Sequence, residues 1–222
     1  MFIHKEAPPK VELPDKIVDG KRWYTTPGGI KYPSVTTVLG AKEKPWLENW
    51  QNMLGPDKAK KETKRCAERG TAVHLLAERY LNNEEDPTRG EPALAKKLFN
   101  QLKLRLNKID NIRAQEVPLY SDTLKIAGRV DCVAEYEGVL SIIDFKTSNN
   151  NKDTKMVEDY RLQCTAYALM YDEMFDVFIE DIVVLIAVEK GIMPLLFKDK
   201  IDNYVEPLVE RINMFYKGAK NG

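Results

Sequence analysis

Cysteine and histidine are scarce in this 222-residue sequence, which contains three cysteines and two histidines. Cys66, Cys132 and Cys164 are far apart and form no C-x-x-C pair, so neither a disulfide framework nor a zinc site is indicated. This cysteine usage is typical of a reducing compartment. No apolar run reaches the length of a transmembrane helix, and the first residues lack the apolar core of a signal peptide. We therefore expect a cytoplasmic protein that does not bind membranes.

Net charge is also absent, because 34 Lys and Arg residues balance 34 Asp and Glu residues. The sequence lacks the overall basic character that would indicate binding to nucleic acid, so any such contact must come from a local patch. The length suffices for one sizeable α/β domain. We expect an N-terminal arm and small hairpin over residues 1–32 and a single domain over residues 33–222. Its helical part covers about 33–110 and its sheet core about 111–222.

The order of predicted elements defines the expected fold. Helices come first, a strand meander follows, and a helix, two strands and a final helix close the chain. This order predicts a mixed central β-sheet flanked by α-helices. Besides the hairpin described next, the predicted helices cover residues 45–54, 57–82, 91–107, 158–174 and 201–217, and the predicted strands cover 22–26, 29–32, 112–120, 181–188 and 192–198.

Residues 126–147 predict a β-hairpin that carries the most informative chemistry of the chain. Glu137-Gly138 supplies the turn signal, because the glycine accepts a positive φ. A two-residue turn pairs Tyr136 with Val139 and so determines every later pair. A three-residue loop would need a bulge to keep the same pairs together.

This register places charged residues opposite one another. Asp131 faces Asp144, and Arg129 faces Lys146, on the same side of the sheet. A slip by one residue would separate the two carboxylates onto different faces. The simpler interpretation is a solvated hairpin with surface charge. Facing carboxylates in an apolar sheet are instead usually compensated by a divalent cation, so we expect Asp131 and Asp144 to bind Mg²⁺ or Mn²⁺, with Lys146 directed at the same water or phosphate.

The predicted helix over residues 57–82 carries a possible further ligand. Gly70, His74 and Glu78 recur at four-residue spacing and share one face. A lone helical histidine is more often structural than a ligand. The first half of this helix is basic, and a charge run on a helix usually marks a solvated face.

Several polar and aromatic side chains are candidates for contacts with DNA. Ser34 or Thr36 is expected to cap a short helix, whose free N–H groups can hold a phosphate, although a simple cap is commoner. Trp46 and Trp50 share one side of a predicted helix, and we expect them in the core rather than stacked on bases. The candidate contacts are Ser34, Thr36, Arg65, Arg69, Arg129 and Tyr160.

The motifs Asp131…Asp144-x-Lys146 and Gln163-x-x-x-Tyr167 resemble the PD-(D/E)XK nuclease superfamily. With Gly70-x-x-x-His74, they are most similar to its RecB-like branch. Residues 33–36, 128–136 and 144–148 resemble the mitochondrial genome maintenance exonucleases and related phage exonucleases. The resemblance implies that His74 is a metal ligand beside Asp131 and Asp144. It implies that Gln163 and Tyr167, together with the Asp-Asp-Lys set, complete the active site.

The resemblance further implies a metal-dependent DNA exonuclease that favours single-stranded ends in DNA replication, recombination or repair. The cysteine cluster of iron–sulfur members is absent, so we expect no iron–sulfur cluster. No transit peptide is recognisable, which favours a bacterial or phage origin. A helicase, polymerase or recombination partner would be a separate chain. Glu116, on the preceding strand, lies either near the metal or on the surface.

Two alternatives remain open at this point. One is a non-catalytic DNA-binding or assembly module that retains the fold, although the intact Asp131, Asp144 and Lys146 set argues against it. The other is a recombination exonuclease that acts on duplex ends and assembles as a ring.

Overall fold

A computed structural model of the chain describes residues 1–42 and 45–220, and side chains up to residue 218. Within these residues the chain forms two β-sheets and six α-helices. The larger sheet has five strands, in the spatial order of the chain. They are β4 (Ile109–Ser121), β5 (Ile126–Tyr136), β6 (Val139–Ser148), β7 (Asp181–Val188) and β8 (Leu195–Lys200).

The five-stranded sheet is mixed, as predicted. β6 and β7 pair in parallel, and the other neighbours pair antiparallel. A parallel pair needs a crossover, and a helix between β6 and β7 supplies it. The six helices are α1 (Val35–Gly40), α2 (Pro45–Leu54), α3 (Pro56–Leu81), α4 (Ala93–Leu106), α5 (Glu158–Phe175) and α6 (Val205–Lys220).

Helices cover both faces of this sheet and enclose two cores. α1, α5 and α6 pack on one face, where Val133 and Ile142 belong to the core. α3 and α4 pack on the other face, where Cys132 and Ile143 belong to the core. The expected sheet flanked by helices is therefore confirmed. Within the described residues, no helix is both long and apolar enough to cross a membrane.

The predicted hairpin is present as β5 and β6. Glu137 and Gly138 have φ of 53° and 85°, as a two-residue hairpin turn of this twist requires. The ladder runs from Tyr136 opposite Val139 to Cys132 opposite Ile143, in the predicted register.

The ladder between β5 and β6 ends one pair before the carboxylates. Asp131 does not pair with the residue opposite; its Oδ2 instead accepts a hydrogen bond of 2.8 Å from the backbone N–H of Phe145. Arg129 and Lys146 lie beyond the end of this ladder and form no ladder pair, and on its other edge Arg129 pairs with Pro118 of β4. The side chain of Asp131 thus replaces a ladder bond where the two strands separate.

A second, three-stranded sheet precedes the helices and consists of β1 (Asp15–Val18), β2 (Lys21–Thr25) and β3 (Lys31–Pro33). The predicted small hairpin corresponds to β2 and β3. Within the expected N-terminal arm the chain forms a further strand, β1, which the sequence did not predict. Asp19-Gly20 forms its turn with φ of 49° and 74°, and Asp-Gly is a strong hairpin signal that the surrounding proline and charge conceal.

The placement predicted for the two tryptophans of α2 is also wrong. Trp46 is 67% exposed, and Trp50 is only half-buried. No residue of α2 is buried, because this helix packs against α3 and reaches neither core.

We expect Gly138→Ala to reduce the free energy of unfolding by about 1–2 kcal/mol, because alanine is strained at positive φ. Urea denaturation measures this loss. The same substitution at Gly218, inside α6 and without a positive φ, serves as the control and should cause no loss. Equal effects at the two positions would contradict the turn assignment.

Candidate active site

A cleft of about 560 Å³ lies where α3 and α5 meet the β4–β5–β6 edge of the sheet. The end of α1 and strand β2 form its outer wall. His74, Glu116, Asp131, Lys146, Gln163 and Tyr167 all line it. The sequence elements that carry the predicted chemistry therefore converge on one concave surface.

His74, Glu116 and Asp131 form the tightest group of possible metal ligands among the described residues. One ligand atom from each lies within 4.8 Å of the others. His74 Nδ1 is 3.5 Å from Asp131 Oδ2. In the ladder between β4 and β5, the neighbours of Glu116 pair with the neighbours of Asp131, so Glu116 lies directly against Asp131. Glu116 itself has φ of 51°. Glu116, whose position the sequence left undecided, thus lies beside His74 and Asp131.

Asp144 lies deeper and interacts first with Lys146. Its side chain is 1% exposed, and the Lys146 Nζ is 2.5 Å from both carboxylate oxygens. The ammonium donates a hydrogen bond to Oδ1 and forms an ion pair with the buried Oδ2. The structure therefore places Asp144 next to the three-residue group without making it part of that group. Metal ligation by Asp144 stays a prediction.

These residues fit a hard divalent cation. One imidazole and two carboxylates supply nitrogen and oxygen donors, which suit Mg²⁺ or Mn²⁺. Asp144, already paired with Lys146, places a further carboxylate next to this group.

Burial and mutual repulsion raise the pKa values of two of these carboxyls. Desolvation, followed by the charges of Asp131 and Glu78, raises the pKa of Glu116 to about 7. Desolvation, followed by the charge of Asp131, raises the pKa of Asp144 to about 6, against the opposing effect of Lys146. A cation among these groups would favour their ionised forms.

Lys146 keeps its proton in this environment. Burial alone would lower its pKa, but the charges of Asp144 and Asp131 outweigh burial and raise the pKa. The ammonium also lies 5.4 Å from the centre of the Tyr160 ring, within the range of a cation–π contact. In this environment Lys146 can act as a positive charge and a hydrogen-bond donor.

Gln163 and Tyr167 project from α5 toward the hairpin and contact each other. Gln163 Nε2 donates a 3.0 Å hydrogen bond to the Tyr167 hydroxyl. Burial raises the Tyr167 pKa well above its usual value, so the hydroxyl stays protonated. Gly128 permits this packing, since a Cβ there would lie 2.7 Å from Tyr167 Cε1.

Apart from Tyr160, whose ring lies against Lys146, the predicted DNA contacts divide into two groups. Ser34 caps α1 through a 3.0 Å bond from the Thr37 N–H, and Thr36 is exposed at the cleft wall. Arg129 is exposed and donates to the Glu116 carbonyl oxygen at 2.9 Å. These residues lie at the cleft, and their contacts with DNA stay predictions.

Arg65 and Arg69 lie away from the cleft and bind other parts of the chain. Arg65 contacts Glu62 and Glu189, at 2.7 and 2.9 Å. Arg69 is buried and donates to Glu189, to Asn149 at 2.5 Å and to Thr147 at 3.2 Å. The expectation of a solvated basic face is wrong for Arg69, because its guanidinium is fully occupied in joining α3 to β6 and β7.

Three further residues line the cleft wall. The sequence placed Glu78 on the face of His74 but gave it no role in the site. Arg22 and Tyr24 reach the cleft from β2. No local motif marks these two residues, because only the packing of the small sheet against β5 brings them there.

Residues 99–190 match the family model described as the PD-(D/E)XK nuclease superfamily. The chain carries a PD-(D/E)XK nuclease superfamily domain. That segment contains the predicted Asp-Asp-Lys set and the Gln163–Tyr167 pair, whereas His74 lies before it.

Curated relatives extend this likeness beyond the PD-(D/E)XK domain. The chain is 30% identical over 170 residues to mitochondrial genome maintenance exonuclease 1 of Mus musculus, covering 72% of this chain and 50% of the relative. The Homo sapiens protein of the same name is 31% identical over 171 residues, with the same coverage. The Xenopus tropicalis protein is 27% identical over 191 residues, covering 81% and 54%. The chain thus spans about half the length of these relatives.

We expect Gly128→Ala to reduce the free energy of unfolding by about 1–3 kcal/mol, because the buried Tyr167 ring cannot move aside. Urea denaturation measures the loss. The same substitution in a Tyr167→Leu background should cost clearly less, because the ring is absent. An equal cost in both backgrounds would show that Tyr167 is not the obstacle.

The raised pKa of Glu116 predicts a pH dependence of stability in EDTA. The folded chain holds this proton up to about pH 7, whereas the unfolded chain loses it near 4.5. The folded state therefore binds more protons in this window, and stability falls as pH rises through it. Urea denaturation across this range should show a smaller decline for Glu116→Gln. An unchanged decline would exclude Glu116 as a source.

Proposed function

We propose that the chain is a metal-dependent DNA exonuclease that hydrolyses phosphodiester bonds at single-stranded ends. The observation that carries the proposal is the convergence of His74, Glu116 and Asp131 beside the Asp144–Lys146 pair in one cleft. Catalysis of phosphoryl transfer needs positive charge near the phosphate, and a cation site next to a fixed ammonium supplies it.

His74, Glu116 and Asp131 would hold the cation, with Asp144 as a further ligand. Mg²⁺ or Mn²⁺ is the expected ion, because the donor set is rich in oxygen. A bound divalent cation would act as a Lewis acid toward the phosphate ester and make water more acidic. This arrangement explains why several carboxyl side chains lie together at the end of an otherwise apolar strand pair.

Lys146 orients and neutralises rather than accepts a proton. Its ammonium is held at Asp144 and faces the cleft, where it can donate a hydrogen bond to a phosphate oxygen or to water. Tyr167 keeps its own proton and supports the β5 side of the cleft through its contact with Gly128. Gln163 holds the Tyr167 hydroxyl in place.

Arg22, Ser34, Thr36 and Arg129 line the cleft or its entrance and can contact the phosphates of an entering strand. The relatives' names describe exonucleases, which supports action on strand ends. We extend the preference for single strands to this chain on the same resemblance. The proposal includes a role in DNA replication, recombination or repair, beside a separate helicase, polymerase or recombination protein.

Incubation with end-labelled oligonucleotides and Mn²⁺ tests the activity. We expect single-stranded DNA to be shortened from an end and a circular single strand of the same sequence to persist. Bound but intact DNA would identify a non-catalytic module. A ring-shaped oligomer that prefers duplex ends would identify a recombination exonuclease instead.

We expect Lys146→Ala to reduce cleavage by a factor of at least about 100, because it removes the fixed charge beside the phosphate. Isothermal titration with Mn²⁺ should still show binding, since an ammonium is not a ligand. Asp131→Asn should lose binding and cleavage together. Lys198→Ala removes an exposed lysine paired with Glu137 and serves as the control. Loss of Mn²⁺ binding in Lys146→Ala would contradict the assigned role.

A further inference from the structure

The small N-terminal sheet has two faces, and only one of them borders the cleft. Side chains alternate along β2, so Arg22 and Tyr24 point to the cleft side. Lys21, Trp23 and Thr25 point to the opposite side, which we call the outer face. The cleft therefore does not account for the side chains on the outer face of β2.

The outer face forms a concavity of about 610 Å³ with a basic rim. The strand register places Lys16 opposite Trp23 and Lys31 opposite Thr25, so the two lysines flank the tryptophan. Lys16, Lys21 and Lys31 are exposed, and within the described residues none of them forms a salt bridge. Asp19 is the one acidic residue that lines this concavity in the described part of the chain.

Trp23 supplies an aromatic floor between these lysines. One part of the ring packs against the core on the α5 side of the sheet, which fixes it in place, and the residue remains only half-buried. A fixed aromatic ring bordered by lysines suits a nucleic-acid strand, because bases stack on the ring while ammonium groups contact phosphates.

The outer face is continuous with the cleft. A groove at the β1–β2 turn shares Arg22 and Thr36 with the cleft and shares Lys21 with the outer face. Arg22 is paired with Asp15 at 3.3 Å, and both side chains are well exposed, so a phosphate can replace this weak partner. A chain of cations thus leads from the candidate active site around the edge of the small sheet.

We propose that the outer face binds the single strand of nucleic acid whose end occupies the cleft. The strand passes Arg22 and Thr36, turns at Lys21 and stacks one base on Trp23, with Lys16 and Lys31 on its phosphates. This inference rests on the proposed function, since it takes the occupant of the cleft to be a single strand. It assigns the outer face to nucleotides several positions away from the cleaved bond.

The test compares single-stranded oligonucleotides of about 5 and about 20 nucleotides, because only the longer one reaches beyond the cleft. Binding to the full chain is measured by fluorescence anisotropy in EDTA, which prevents metal-dependent cleavage. The variant Lys16→Glu/Lys21→Glu/Lys31→Glu should bind the long strand at least about tenfold more weakly and bind the short strand nearly as well as the wild type. The slope of log affinity against log salt should fall by about 2 for the long strand, or about 0.7 for each lost phosphate contact.

A matched control separates this site from a general charge effect. Lys103→Glu/Lys108→Glu/Lys190→Glu changes the charge by the same amount at exposed positions outside the cleft, groove and outer face. It should leave both affinities nearly unchanged. Equal weakening by the two triple variants, or equal weakening for both lengths, would overturn the proposal.

Tryptophan fluorescence provides a measurement that does not depend on the lysine variants. The chain has three tryptophans, and Trp46→Phe/Trp50→Phe leaves Trp23 as the reporter. The long oligonucleotide should quench its emission, and the short one should not. Absence of quenching at saturation would overturn the stacking contact.

The outcomes also distinguish failure of this inference from failure of the proposed function. A wild type that shortens single-stranded DNA with Mn²⁺, while the lysine variant binds the long strand normally, would overturn the outer face alone. An acidic protein partner would then be the better occupant. A wild type that neither binds nor cleaves DNA would overturn both.

Discussion

The carboxylate of Asp144 is buried within the central sheet, and the ammonium of Lys146 lies 2.5 Å away. Removing an ion from water costs several kcal/mol, and a close partner with good geometry offsets that cost. This pair therefore allows a charged strand to occupy the middle of the sheet. The neighbouring carboxyls have no comparable partner, because Asp131 accepts one backbone N–H and burial raises the pKa of Glu116. The surroundings are consequently short of positive charge at the point where the cleft opens.

The position of His74, the third member of the candidate metal site, depends on contacts outside the cleft. His74 belongs to α3, and Arg69, just over one turn earlier, bonds to Thr147, Asn149 and Glu189. Asn149 and Thr147 follow Lys146 directly along the chain. Arg69 thus holds α3, which carries His74, against β6, which carries Asp144 and Lys146. Its buried guanidinium therefore fixes the relative position of two parts of the candidate site.

The site was most predictable where short-range geometry controls it. The turn at Glu137-Gly138 determines the register of β5 and β6, so their pairing followed from the sequence. Glu116 stayed undecided because its position depends on an irregular strand with a positive φ, which no propensity of glutamate indicates.

The errors have related causes. The basic run of α3 indicated solvent exposure, yet Arg69 is buried because acceptors from β6 and β7 meet it. The apolar spacing of α2 indicated a core helix, yet Trp46 remains exposed because only α3 covers that segment. Periodicity describes which residues share a face, and it does not specify what covers that face.

β6 has a further consequence for how the chain matures. Its first edge is satisfied by β5, which is adjacent in sequence, but its second edge is satisfied by β7 in parallel, across the whole of α5. Contacts between segments so far apart form late, because the intervening loop must close first. Asp144 and Lys146 therefore reach their final environment only after residues up to Val188 have been synthesised and docked. In a chain still emerging from the ribosome, the residues that line the cleft therefore lack part of their final surroundings. The cleft is complete only when the sheet is complete.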